Sequence, residues 1–139
     1  MVRLKMISEA DVIGAISGKY SLDLFKMVAA QTNSDTEMFR SKVKLSRKQY
    51  YSRMSRMTKV GIIKRKNGKY SLTSLGKILY ESETMIEGAL TDFWKLKAID
   101  SLESSMEVGA LSQEERNKIL DALIDNRQTK EIIVQTIKR

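Results

Sequence analysis

From the N-terminus, the apolar positions of this chain recur mostly at the three-and-four spacing of a helix, and at alternate positions in one short stretch. The pattern predicts a first short helix over residues 9–16, capped by Ser8, with Val12, Ile13 and Ile16 on one face and Gly18 ending it. Ser21 reads as the cap of a second helix over 22–30, in which Leu24, Phe25 and Val28 are spaced for burial. Ser34, followed by Asp35, Thr36 and Glu37, signals a third, because acids in a first turn suit the helix dipole. Met38, Phe39 and Val43 give that helix its apolar side, and it should stop near Lys44.

Ser46 caps a fourth helix over about 46–59. Turning about 100° per residue, Met54 and Met57 fall near Tyr50, so these three form one narrow apolar stripe. Lys48, Ser52, Ser55 and Lys59 lie on the opposite side, flanked by Gln49 and Arg56 on one shoulder and Tyr51 on the other. Gly61 suits a left-handed helix end. A hairpin follows, because Asn67-Gly68 stands between two extended runs, 62–66 and 69–73, and both turn residues must tolerate positive φ.

Beyond it, a single long helix is predicted over 74–97, with Leu75, Ile78, Leu79, Met85, Ile86, Ala89, Leu90, Phe93 and Leu96 as its apolar positions. Their spacing serves packing within the chain at first and then continues as a helix–helix seam, with Gly88 marking a kink or close crossing. Phe93 and Trp94 read as interface. Two further helices follow. One opens on a Ser112–Glu115 capping box ahead of Ile119, Leu120, Leu123 and Ile124. The other follows a break at Asn126 and holds Ile132, Ile133 and Ile137. The fold class is therefore mainly α with a small β-hairpin, and the charge pattern divides it into 1–77 and a helical extension over 78–139.

Charge changes the picture most. Between Arg40 and Lys77 there are thirteen Lys or Arg and no Asp or Glu, whereas the whole chain of 139 residues has 25 basic and 17 acidic residues. The other 101 residues thus hold 12 basic against 17 acidic and sum to −5, so the net +8 is concentrated in one segment. A solvated helix face usually interleaves Glu or Asp at i±4. Their absence here points to a polyanionic partner, most commonly nucleic acid. From residue 78 onward 12 acidic residues face 8 basic ones, which suits pairing of subunits better than contact with DNA.

What is missing narrows the chemistry. With no Cys and no His, the chain forms no disulfide, holds no thiolate or imidazole metal site, and runs no mechanism needing a Cys nucleophile or His base. No phosphate-binding glycine motif or nucleophile–base pairing appears, so the chain does not read as an enzyme and no cofactor is expected. No apolar stretch is long enough for a membrane span, and no signal-peptide core is evident. The expected location is cytoplasmic, associated with the nucleoid when DNA is bound.

Residues 45–63 (LSRKQYYSRMSRMTKVGII) resemble the recognition-helix region of winged helix-turn-helix transcription regulators. In both, a leucine and a capping serine lead into three striped apolar residues and a closing glycine followed by two apolar residues. Residues 64–73 and the run 70–76 (YSLTSLG) look like the wing and the start of the next helix. The nearest flavour is the arsenic-repressor-like and multiple-antibiotic-resistance-regulator-like groups of bacteria and archaea. The resemblance spans about half the chain, and it implies double-stranded DNA as partner, a homodimer and a role in transcription. Unlike a soft-metal sensor, this chain lacks Cys and His, so it departs from the arsenic-repressor pattern.

Physical chemistry and resemblance select the same contact residues. Arg47, Lys48, Gln49, Ser52 and Arg56 offer donors to base edges in a major groove. Tyr51 fits either nucleic-acid contact or partial burial beside Tyr50, and Arg53, at the edge of the stripe, fits an intramolecular or phosphate role. Lys44, Lys59, Lys64, Arg65, Lys66 and Lys69 suit the sugar–phosphate backbone or a minor groove. The competing readings are an adaptor that binds protein through the same fold and a nonspecific architectural or RNA-binding protein. The sequence names no effector and no operator.

Overall fold

The computed structural model describes residues 6–30, 36–105 and 112–137. The chain is mainly helical with one small antiparallel hairpin. In order it forms α1 (Glu9–Ala15), α2 (Lys19–Ala30), α3 (Thr36–Val43), α4 (Arg47–Lys59), β1 (Ile63–Lys66), β2 (Lys69–Leu72), α5 (Ser74–Thr91), α6 (Phe93–Ser105), α7 (Gln113–Leu123) and α8 (Arg127–Ile137). Its Cα packing divides it into two compact units, Met1–Ser82 and Glu83–Arg139. Among the described residues no helix is long and apolar enough to cross a membrane.

The first unit is built around α2 and α4. Leu24, Phe25 and Val28 of α2 meet the Tyr50, Met54 and Met57 stripe of α4, all of them buried. Ile62, Ile63 and Tyr70 close the same core from the hairpin side. Burial of each such side chain stabilises by roughly 1.5–3 kcal/mol. Tyr80 of α5 packs against Phe25 at a ring-centroid distance of 6.4 Å. The hairpin exit is fixed by Thr73, whose hydroxyl donates to the Gly61 carbonyl at 2.5 Å and accepts the Gly76 N–H at 3.0 Å. Thr73 is thus both the cap of α5 and a tie between the two ends of the hairpin. Gly76 must be glycine here, because a Cβ would overlap the Ile62 carbonyl oxygen.

The second unit has its own small core of Ile99, Leu120 and Ile124, with Leu96, Leu123, Ile133 and Val134 against it. Ser112 accepts the Glu115 N–H at 3.1 Å to start α7, and Asn126 accepts the Thr129 N–H at 3.0 Å to start α8. Ion pairs Arg116–Glu103 and Lys130–Asp121 tie its helices together at 3.1 and 3.2 Å.

Several sequence expectations are corrected. Ser21 is not a cap: α2 begins earlier, at Lys19, with the Gly18 carbonyl accepting the Leu22 N–H, and Ser21 is buried. Ile13 faces solvent, and Ala15 takes the core position on α1, because Val12, Ala15 and Ile16 lie within one arc that excludes Ile13. The long helix is two helices, since Asp92 ends one and starts the other: its N–H still donates to Gly88, while its carbonyl accepts Leu96 and its carboxylate meets Lys95 at 3.6 Å. Gly88 marks no close crossing, as a Cβ there would meet nothing within 4 Å. The Ser34 cap and the side chains of Met38, Phe39 and Ile137 lie outside the described residues.

Candidate nucleic-acid interface

Helix α4 is locked at both ends. Ser46 accepts the Gln49 N–H at 3.2 Å while the Gln49 side-chain oxygen accepts the Ser46 N–H at 3.2 Å, a complete capping box. At the other end Gly61 has φ +83°, the Ile62 N–H reaches the Met57 carbonyl and the Gly61 N–H reaches Thr58, the Schellman pattern. The Gly61 turn carries the chain directly into buried Ile62 and Ile63, so the core anchors the helix exit and the hairpin entry together. With the Tyr50, Met54 and Met57 stripe buried, Arg47, Lys48, Ser52, Ser55 and Lys59 remain exposed.

The hairpin is equally defined. Asn67 and Gly68 both have positive φ, 54° and 76°, as a two-residue type I′ turn requires. The register pairs Ile63 with Leu72, Lys64 with Ser71, Arg65 with Tyr70 and Lys66 with Lys69. Because successive strand residues point to opposite faces, Ile63, Leu72, Arg65 and Tyr70 share one face and Lys64, Lys66, Lys69 and Ser71 the other. One face therefore joins the core and the other presents three lysines.

Helix and hairpin each carry a ring contact. Tyr51 stacks edge-on to buried Tyr50 at 5.1 Å, and the Arg65 guanidinium lies over the Tyr70 ring at 5.5 Å. Burial pushes the Tyr70 phenol above its ordinary pKa, the Arg65 cation pulls it back, and the neighbouring Tyr51 phenol pushes it up further. Tyr51 is half-exposed on α4. The ion pairs noted above all belong to the second unit. Lys44, Arg47, Lys48, Lys59, Lys64, Lys66 and Lys69 pair with no carboxylate among the described residues.

The sequence-selected residues divide accordingly. Arg47, Lys48, Tyr51, Ser52 and Lys59 share the exposed side of α4, and Lys64, Lys66 and Lys69 share the exposed face of the hairpin. Lys44 stands in the turn before α4 with φ +56°, exposed. Two of these residues also have neighbours within the unit. Gln49 has its acceptor oxygen committed to the capping box, so bidentate pairing with an adenine would require that bond to break. Arg56 is exposed, and the end of its guanidinium comes within 2.8 Å of where a Cβ on Gly14 of α1 would stand, beside a cleft of about 390 Å³ lined with Met6, Ile7, Asp11, Lys59 and Val60. Arg53 is held inside the unit, donating to the Ser21 hydroxyl at 3.5 Å with its guanidinium 5.8 Å from the Tyr20 ring centroid. Ser55 lies in the open row between Ser52 and Lys59 and belongs with the candidate contacts. Its helical position already signalled this.

Comparison with protein-family models, curated proteins and solved structures gave no match for this chain. The site is accordingly read from its own geometry.

Proposed function

We propose that this chain is a sequence-specific double-stranded DNA-binding transcription regulator of the winged helix-turn-helix kind, acting as a homodimer. In this reading α4 enters the major groove and the hairpin is the wing, lying on the sugar–phosphate backbone or in the minor groove. One observation carries it: the outward row of α4 and the three-lysine face of the hairpin are exposed and cationic, and their lysines pair with no carboxylate among the described residues, on a frame fixed by caps and core. Lys48, Ser52 and Ser55, midway along the row, supply short and long donors suited to base edges. Arg47, Lys59 and the hairpin lysines suit phosphates, which position the protein without reading sequence. The acidic excess after residue 78 keeps the second unit away from DNA and leaves it to subunit pairing.

A binding titration against duplex DNA tests the electrostatic core of the reading. If about six phosphates are neutralised, affinity falls roughly 10³-fold between about 50 and 200 mM salt. A slope near zero would overturn it, and equal or tighter binding to double-stranded RNA in competition would favour the architectural or RNA-binding alternative.

A further inference from the structure

Helix α5 presents aliphatic side chains that stand exposed among the described residues. Ile78, Ile86 and Leu90 are exposed by 66%, 62% and 66%, and Leu75 by 43%. Turning about 100° per residue, the four fall within an arc of roughly 120° on this one helix, with Ser82 near its centre. Lys77, Thr84 and Thr91 occupy the opposite side. Single exposed hydrophobic residues are ordinary, but a continuous row of them marks an interaction surface.

We propose that this row pairs with the same row of a second copy, the two α5 helices crossing antiparallel about a two-fold axis at Ser82. The spacing is what selects a second copy over another partner. Ile78 and Ile86 lie equally far before and after Ser82, and Leu75 and Leu90 nearly so. A two-fold at Ser82 therefore sets each Ile78 against Ile86 of the second copy and each Leu75 near its Leu90, as a self-complementary interface requires. A small residue belongs at that crossing. Helix axes roughly 8–10 Å apart, less two Cα radii of about 2.3 Å, leave only about 3.5–5.5 Å between facing Cα atoms. The Ser82 hydroxyl donates to the Ile78 carbonyl at 3.1 Å, so burying it leaves no hydroxyl unpaired. A membrane surface would be a poor occupant, because the row is flanked by Glu81 and Glu87 where an interfacial helix carries cations.

The inference rests on the homodimeric reading and assigns its contact surface. The natural absence of cysteine makes the test clean. In the full chain, Ser82→Cys should convert largely to a disulfide-linked dimer under mild oxidation, since a two-fold at this position brings the thiols within bridging range. Ser101→Cys, an exposed position on α6, should not. By sedimentation equilibrium the wild type should be a dimer. Ile78→Asp, at an already exposed position, should weaken the dimer about 100-fold or more with unchanged far-UV circular dichroism. A wild-type dimer that ignores Ile78→Asp and leaves Ser82→Cys uncrosslinked would overturn this surface while the dimeric reading survives. A wild type that stays monomeric at about 100 μM would overturn both. A dimer broken by Ile78→Asp in a protein that binds no duplex would uphold the pairing and sink the DNA-binding reading.

Discussion

At Gly76 a single missing methyl group decides whether α5 docks on the hairpin. The Ile62 carbonyl oxygen occupies the place of its Cβ, and the same carbonyl accepts the Thr73 N–H at 3.2 Å, so neither group has room to move. Gly76→Ala is therefore expected to lower stability by about 3 kcal/mol, seen as a reduced urea midpoint. An unchanged midpoint would contradict the packing described. Tyr70 gives a pH-dependent counterpart. Its phenol titrates above the ordinary tyrosine value of about 10, chiefly because it is buried. The folded state then holds the proton more tightly than the unfolded state. That contribution is fully present below about pH 10 and is lost as the pH rises through the folded value. Urea midpoints of the wild type should fall between about pH 9 and 11 more steeply than those of Tyr70→Phe, and equal slopes would remove this role. Neither residue's demand was legible in the sequence, because each is imposed by a neighbour distant along the chain or across a strand. Gln49 is the opposite case: Ser46 and Gln49 already stand at capping-box spacing, and its reading as a base contact passed over that local signal.

Elements were legible where one local rule specified them. The Tyr50, Met54 and Met57 period, the Gly61 helix end and the Asn67-Gly68 turn each depend on a few adjacent residues, and each stands in the structure as expected. The α5–α6 break was missed because the apolar period runs on past Asp92, where one helix ends and the next begins. Helix and hairpin should accordingly differ in what they contribute to binding. Lys48→Ala, on the outward row of α4, is expected to change base preference at one position of the site, discrimination being worth roughly 1–3 kcal/mol per good contact. Lys66→Ala, on the hairpin's lysine face, should weaken all duplexes about equally and reduce the salt slope by about 1. Parallel titrations of both variants against several duplexes check the difference, and identical profiles would contradict a division of labour between the two elements.

Across the whole molecule the charge is segregated. Thirteen cations without an acid fall between residues 40 and 77, and the acids gather beyond. This division was plain in the sequence, but which cations share a surface was not. That depends on the strand register that sets Lys64, Lys66 and Lys69 together. The proposed dimer should bind pseudo-palindromic duplexes with half-sites about one helical turn apart. Selection of bound sequences from a random duplex pool at physiological salt tests that claim most directly. The predicted result is a two-fold symmetric consensus; a bound pool with no enriched sequence would contradict it.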